Sequence, residues 1–184
     1  MKRLIDIIIA VCALLLLSPI MLFVILAICL YDRGPVFFKQ ERVGRFGKTF
    51  LIYKFRSMVV NAEQVGGYST ADKDPRITPV GRFIRRTSLD ELPQLINVLN
   101  GDMSIVGPRP DVPAQKTLYT PEEWSLRNSV RPGITGLAQA TLRSAATQAQ
   151  RTVLDLRYAR ERNIGLDMKI IAMTFTQVLT KGGN

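Results

Sequence analysis

The chain has 184 residues, a formal net charge of +10 and no histidine. That length supports one domain, or one domain with an appended segment. The absence of histidine excludes the serine triad, cysteine–histidine proteases and the usual zinc hydrolases, so any acid–base or nucleophilic chemistry falls to other side chains. A hydrophobic content of 47% excludes wholesale disorder, so the chain folds or part of it lies in lipid.

The first predicted element is an apolar run over residues 4–30, in which Asp6 is the only charged residue. As a helix it would be roughly 40 Å long, which exceeds the ~30 Å hydrocarbon core of a bilayer. Near its middle, Pro19 lacks an N–H and clashes with the carbonyl of Leu15, so Ser18 and Pro19 predict a kink or a break.

Both flanks of this apolar run are basic, and the positive-inside bias disfavours placing either flank outside the cell. A re-entrant helix that bends back at Ser18–Pro19 keeps both flanks in the cytoplasm. A straight span with a tolerated kink and a cleaved signal peptide are the alternatives. We therefore expect a membrane helix over residues 1–32 and a second domain with membrane-surface helices over residues 33–184.

The second part of the chain begins with a predicted β-hairpin. Strands are expected over residues 36–43 and 49–55, with Gly44 and Gly47 between them, and a loop follows around Gly66–Gly67. Later segments have helical signals: Ser88 as N-cap and Gly101 as terminator of a helix over 89–99, then a capping box beginning at Thr120. Two further helices are predicted over 144–163 and 166–179. The expected fold class is mainly α with a small β element.

A carboxylate pair, Asp90–Glu91, forms the most informative constellation with the arginines around it. The pair opens a predicted helix, Arg85 precedes it, and Arg109 follows in a turn that two prolines make rigid. Fixed guanidinium groups beside carboxylates suit phosphate-ester chemistry, and Mg²⁺ suits oxygen ligands in a chain without histidine. The alternative is that the carboxylates serve only the helix dipole and the arginines only decorate a solvated or headgroup face.

Four ordered motifs carry a resemblance to a known family. They are YKFRSM at 53–58, TSLDELPQLINVLNGDMSIVGPRP at 87–110, RPGITGLAQ at 131–139 and LDLRYARERNIGLDMKII at 154–171. The chain resembles the bacterial sugar transferase family, the small monotopic phosphoglycosyl transferases. The resemblance covers nearly the whole chain and includes the family's helix break at Ser18 and Pro19. It implies a re-entrant membrane helix over residues 1–32, broken at Ser18–Pro19, and a cytoplasmic catalytic domain with membrane-surface helices over residues 33–184.

The resemblance implies that a sugar 1-phosphate moves from a UDP-sugar to a membrane polyprenyl phosphate, such as undecaprenyl phosphate, with release of UMP. It implies a ping-pong mechanism in which Asp90 is the nucleophile that forms an aspartyl-phosphosugar. Glu91 would assist with the metal or the proton, Asp90 and Glu91 would hold Mg²⁺, and Arg109 would bind phosphate. The enzyme would be monotopic at the inner membrane, with its catalytic domain on the cytoplasmic face, and would begin glycoconjugate assembly, as for exopolysaccharide or lipopolysaccharide.

Several further residues lie at matching motif positions. Lys54 and Arg56 would offer cations to a phosphate or lie on an exposed face. The acidic residues of the last motif, Asp155 and Asp167, would complete the site or pair with Arg157 and Arg160. Gln139 and Arg143, around the third motif, would touch nucleotide or sugar. The chain has Ala-Thr-Leu-Arg at 140–143, where many members of the family have a short Asn-Gly-Arg run.

The basic charge alone also permits a membrane-anchored nucleic-acid-binding protein or a scaffold. Lysine and arginine are dispersed among carboxylates, however, and no nucleic-acid-binding motif is present in the sequence. We therefore expect membrane lipids, a UDP-sugar and polyprenyl phosphate as partners, and no nucleic acid.

Overall fold

The structure is a computed structural model and describes residues 1–62, 74–142 and 147–181. It is mostly helical, as the sequence predicts, and contains two small sheets, of which one was predicted. The predicted loop at Gly66–Gly67 lies outside the described residues. The helices are α1 (Lys2–Tyr31), α2 (Pro79–Arg86), α3 (Gln94–Asn100), α4 (Pro121–Arg127), α5 (Leu137–Leu142), α6 (Gln148–Glu161) and α7 (Ile164–Lys181); the strands are β1 (Phe37–Val43), β2 (Thr49–Phe55), β3 (Ser104–Val106) and β4 (Gly133–Thr135).

Helix α1 is one uninterrupted helix with Pro19 inside it, where the sequence predicts a kink or a break. The carbonyl that Pro19 cannot bond is that of Leu15, and the Ser18 hydroxyl donates to it over 2.9 Å. The neighbouring serine therefore satisfies the acceptor that the proline leaves open, and helical structure continues past the pair. By length and composition α1 could cross a membrane.

Both halves of α1 pack on the body of the protein. Ala10 joins the larger core cluster, whereas Val24 and Ile28 pack with Phe55 and Ile84 in a second cluster. Much of the remaining surface of the helix is exposed apolar side chain, and Leu16 is 78% exposed. So large an apolar surface is unfavourable in water and indicates a lipid-facing helix.

The β-hairpin confirms its prediction. Strands β1 and β2 are antiparallel, with register from Phe37 opposite Phe55 to Val43 opposite Thr49. In the connection, Gly47 has a φ of +77°, a conformation that glycine adopts without strain. The hairpin places Lys54 near the end of β2, beside the carboxylate pair described below.

A second, parallel pair of strands was not predicted. Ser104 in β3 lies opposite Gly133 in β4, and Gly107 directly follows β3. A Cβ at Gly107 would collide with the carbonyl oxygen of Arg131, so the close approach of the two chains requires glycine there. These strands fix the turn that carries Arg109.

The helix predicted over 89–99 is divided. A 3₁₀ turn, Leu89–Glu91, precedes α3, because Pro93 has no N–H to continue the helical bonding. Ser88 adopts a left-handed conformation and makes no side-chain cap, so its predicted role as N-cap is wrong. Gly101 ends α3 with a φ of +93°, as predicted.

The capping signal at Thr120 is confirmed: Thr120 and Glu123 form a reciprocal capping box at the start of α4. A second box, between Thr147 and Gln150, opens α6. Helix α6 therefore begins at Gln148, four residues later than predicted; residues 143–146 are not described.

Candidate active site

The carboxylate pair lies between α2 and α3, and its second member, Glu91, is bonded to two cations. Glu91 Oε1 accepts from Lys54 Nζ and from Arg109 NH2, each over 2.7 Å. Lys54 comes from β2 and Arg109 from the turn after β3, so three separate segments meet at one oxygen. Asp90 is itself buried, with 8% of its surface exposed.

The pKa values of the two carboxyl groups are shifted in opposite directions. Burial opposes ionisation of Glu91, but Arg109 and Lys54 outweigh it and hold its pKa well below the usual range. The pKa of Asp90 is raised to about 6, chiefly by burial and also by the charge of Glu91, against the opposing charges of Lys54, Arg85 and Arg109. Glu91 is thus a permanent anion, and Asp90 is ionised at neutral pH yet poorly solvated.

The turn that carries Arg109 is held through its backbone. Arg127 NH2 donates to the Arg109 carbonyl over 2.6 Å, and Arg42 NH1 donates to the carbonyl of Pro110 over 3.0 Å. The amide of Val43 donates to the carbonyl of Asp111 over 2.8 Å. A guanidinium on so fixed a turn is preorganised for an anionic ligand.

Beside this turn lies a buried cluster around Arg127. Its guanidinium pairs with Asp111 at 2.8 Å and with Asp155 at 2.9 Å, and it lies 5.3 Å from the ring of Tyr119. The Tyr119 hydroxyl donates to Asp111 and accepts from Gln148 Nε2. Burial raises the pKa of Asp155 to about 6, against the opposing effect of Arg127.

Glu91 and Arg109, together with the cluster around Arg127, line one cavity of about 940 Å³. Its polar lining includes Glu91, Arg109, Asp111, Arg127, Gln139, Arg151 and Asp155. Its apolar lining includes Ile9, Ala13 and Leu17 on α1, Ile171 and Phe175 on α7, and Leu92, which follows Glu91. Asp90 adjoins Glu91 but is not among the lining residues. The cavity therefore offers charged groups and apolar helix surface to the same occupant.

The structure brings together some of the residues singled out in the sequence. Lys54, Glu91 and Arg109 are in contact, and Arg85 acts on the charge of Asp90. Gln139 and Asp155 line the cavity. Asp155 pairs with Arg127, whereas the sequence offered Arg157 or Arg160 as its partner; Arg157 instead pairs with Glu161 on the same helix.

Two predicted site residues lie elsewhere. Arg56 is buried, pairs with Asp32 at 2.7 Å and does not line the cavity, so it ties the end of α1 to β2. Asp167 pairs with Lys2 at 2.6 Å and accepts from the Tyr158 hydroxyl, outside the cavity. Both side chains meet partners far away in sequence, which motif position alone does not reveal. Arg143 lies outside the described residues.

Sequence reasoning missed Arg127, Asp111 and Tyr119. Asp111 directly follows the Pro-Arg-Pro turn, which was a usable signal. Arg127 ends α4, the helix predicted to begin at Thr120, and a cation at a helix end is commonly explained by the helix dipole. Nothing local marks its buried partners.

Asp90 and Glu91 could supply some, but not all, of the ligands that a hard divalent cation needs. Carboxylate oxygens are the ligands that Mg²⁺ prefers, and buried Asp90 has no ion pair in the portion of the chain that is described. In that portion, no group of three or more acidic or cysteine residues could hold a metal alone. A bound Mg²⁺ would therefore take much of its shell from water and substrate phosphates, as this ion commonly does.

The long apolar helix and the cation-clamped carboxylates define a membrane-associated domain with a site for charged groups. Residues 1–181 match the family model described as bacterial sugar transferase. The chain belongs to this family, whose members are membrane-associated sugar transferases.

Several curated relatives are similar over nearly all of this chain. The UDP-glucose:undecaprenyl-phosphate glucose-1-phosphate transferase of Escherichia coli (strain K12) is 45% identical over 181 residues, 95% of this chain and 39% of that protein. The uncharacterized sugar transferase EpsL of Bacillus subtilis (strain 168) is 43% identical over 100% of this chain and 89% of its own length. The UDP-N-acetylgalactosamine-undecaprenyl-phosphate N-acetylgalactosaminephosphotransferase of Aeromonas hydrophila is 42% identical over 99% of this chain and 44% of its own length. The chain thus spans less than half of two of these relatives.

Proposed function

We propose that this protein transfers a sugar 1-phosphate from a UDP-sugar to undecaprenyl phosphate or a similar polyprenyl phosphate, with release of UMP. The observation that carries the proposal is the Glu91 carboxylate held by Lys54 and Arg109 beside buried Asp90, at a cavity with both charged and apolar lining. Two of the relatives are named for the same donor and acceptor classes.

The proposed reaction has two displacements at one phosphorus atom. A carboxylate oxygen of Asp90 attacks the sugar-bearing phosphorus of the UDP-sugar, the bond to the bridging oxygen breaks, and UMP leaves. A phosphate oxygen of the polyprenyl phosphate then attacks the same phosphorus, and the Asp90 carboxylate is released. This route needs a nucleophile and charge neutralisation but no histidine.

The surrounding residues have distinct roles in this mechanism. Arg109 and Lys54 keep Glu91 ionised and supply positive charge to the reacting phosphoryl group. The raised pKa of Asp90 marks a poorly solvated carboxylate, which is the state of a reactive nucleophile. Mg²⁺ held at Asp90 and Glu91 would neutralise donor phosphates when bound.

The apolar lining suits the lipid acceptor. Ile9, Ala13 and Leu17 on α1 and Phe175 on α7 line the same cavity as Arg109. An isoprenoid chain along these helices would bring its terminal phosphate toward the cations, while the UDP-sugar needs only the polar lining. Both substrates then reach one phosphorus centre in turn, as a ping-pong reaction requires.

We further propose that α1 is re-entrant, with the catalytic domain on the cytoplasmic face of the inner membrane. Near its start, Arg3 donates to the carbonyl of Val98 and Asp6 accepts from Ser104; at its end, Asp32 pairs with Arg56. Because both ends meet the same polar body, they belong on one side of the bilayer. A modest bend at Pro19 would let the exposed middle of α1 dip into lipid.

The test is Mg²⁺-dependent UMP release from a panel of UDP-sugars with undecaprenyl phosphate, for the parent chain and Asp90→Asn. We expect release by the parent from at least one donor and a loss of at least a thousandfold in Asp90→Asn. Asp102→Asn, a matched change outside the cavity lining, should retain activity. Equal release by parent and Asp90→Asn would remove Asp90 as nucleophile; a folded parent that is inactive on every donor would overturn the proposed reaction.

A further inference from the structure

Arg127 is a buried arginine to which the proposed mechanism gives no role. Only 4% of its surface is exposed, although it borders the cavity. Each of its side-chain nitrogens meets a protein acceptor: Nε and NH2 meet Asp155, NH1 meets Asp111, and NH2 also donates to the Arg109 carbonyl. Because all three nitrogens of this guanidinium are bonded to protein acceptors, it is not arranged to bind substrate.

The contact with Arg109 distinguishes Arg127 from a simple buried ion pair. Other bonds hold the flanks of the turn, through the carbonyls of Pro108, Pro110 and Asp111. Of the hydrogen bonds in the described ranges, the one to the carbonyl of Arg109 itself comes from Arg127. The Arg109 side chain leaves the same residue and reaches Glu91 at 2.7 Å.

We propose that Arg127 is a positioning residue of the transfer reaction: by fixing the Arg109 backbone between α4 and α6, it aims the Arg109 guanidinium at Glu91. This inference rests on the proposed function. The planar fork of arginine is suited to the task because it meets acceptors in several fixed directions at once. Asp155, on α6, anchors the fork from the far side.

Lysine at this position would keep the charge but present one nitrogen instead of three. In Arg127→Lys we expect the fold to be retained with a lowered melting temperature, because buried acceptors lose their donors. We expect a fall in kcat of roughly ten- to a hundredfold, since a misplacement of about 1 Å costs about that much. The KM for the UDP-sugar should change far less. Arg157→Lys, at an exposed arginine that pairs within its own helix, is the matched control and should leave both parameters unchanged.

A double-mutant cycle tests whether Arg127 acts through Arg109. In an Arg109→Ala background the guanidinium to be aimed is gone, so Arg127→Lys should have little further effect on kcat. If the losses instead multiply, Arg127 does not work through Arg109 and the proposal fails. Equal kcat in the parent and Arg127→Lys would overturn it as well.

Hydrogen exchange gives a readout that needs no activity. Backbone amides in residues 107–112 should exchange faster in Arg127→Lys than in the parent, while those of β2 should not change. If Arg127→Lys does not fold, Asp155→Asn, which weakens the anchor on α6 and keeps the side-chain shape, should speed exchange in the same segment. Unchanged exchange in every folded variant would overturn the positioning role. An inactive parent with the expected exchange difference would refute the proposed reaction and leave the structural link established.

Discussion

Lys54 and Arg109 donate to the same oxygen of Glu91, and both hydrogen bonds are 2.7 Å long. The two cations keep Glu91 ionised, and their charge also reaches the neighbouring Asp90. The protonation state of the proposed nucleophile therefore depends on a lysine that does not pair with it directly.

This dependence predicts a pH effect for Lys54→Met. The pKa of Asp90 is raised to about 6 by burial, and Lys54 is the leading opposing influence. Removing Lys54 should raise that pKa further, so the acid limb of the first displacement should move to higher pH by roughly one unit. The measurement is the rate of UMP release between pH 5 and 8 without acceptor, because the acceptor's own phosphate titrates in this range.

The control for this experiment is Lys48→Met, at an exposed lysine in the connection of the same hairpin. Its acid limb should coincide with that of the parent. A Lys54→Met profile reduced in rate but unmoved along the pH axis would show that Lys54 does not govern the charge of Asp90.

Arg127→Met should strongly destabilise the protein in a pH-dependent way. The change leaves Asp111 and Asp155 buried without their cation, which typically costs about 3–5 kcal/mol. The pKa of Asp155 is already raised to about 6, and loss of Arg127 raises it further. The folded variant then binds more protons than the unfolded chain, so its stability falls as pH rises through the folded pKa.

We therefore expect the difference in unfolding free energy between the parent and Arg127→Met to be larger at pH 8 than at pH 5. Denaturant unfolding in a fixed detergent measures it, and comparison at equal pH cancels the contribution of Asp90. A difference that is constant with pH would contradict the assigned partnership of Arg127 with Asp155.

The apolar part of the cavity can be tested apart from the polar part. Ala13 on α1 and Ala138 on α5 line the cavity with small side chains. Ala13→Trp should obstruct an isoprenoid chain, raising the KM for undecaprenyl phosphate by tenfold or more and leaving acceptor-independent UMP release unchanged. Val11→Trp, at an exposed position of the same helix outside the lining, is the matched control. Equal impairment of both half-reactions would show that the two substrates do not divide the cavity in this way.

Local signals in the sequence predicted local structure well. The hairpin follows from two apolar-rich runs around Gly44 and Gly47, and the box at Thr120 follows from spacing alone. Asp90, Glu91 and Arg109 were also identified together, because the first two are adjacent and the third lies in a rigid turn. In the structure, Glu91 is bonded to both Arg109 and Lys54, so residues of two motifs meet at one carboxylate.

The features that escaped prediction depend on contacts between distant segments. Strands β3 and β4 have three residues each, too few for a periodic pattern, and exist because the chain around Gly107 and Gly133 can approach closely. Asp6 was noticed only as a charge in an apolar run; in the structure it accepts from Ser104 Oγ and the Ile105 amide. Such partners are chosen by the tertiary fold.

The placement of α1 gives a last prediction. Its basic start and its end both contact the catalytic body, through Lys2 with Asp167 and Asp32 with Arg56. A straight crossing would separate these contacts by the thickness of the bilayer, at the cost of two ion pairs and the burial of Val24 and Ile28. We therefore expect a cysteine in a tag ahead of Met1 and one at exposed Arg33 to face the cytoplasm together.

The measurement uses a background of Cys12→Ser and Cys29→Ser, with each new cysteine introduced singly and treated with a membrane-impermeant maleimide. Both sites should react in inside-out vesicles and neither in right-side-out vesicles. A cysteine at Ser18, in the exposed middle of the helix, should react in neither preparation until detergent is added, because lipid covers it. Labelling of the tag and of Arg33→Cys from opposite sides would establish a straight span, and the ion pairs at the two ends of α1 could not then form together in the membrane.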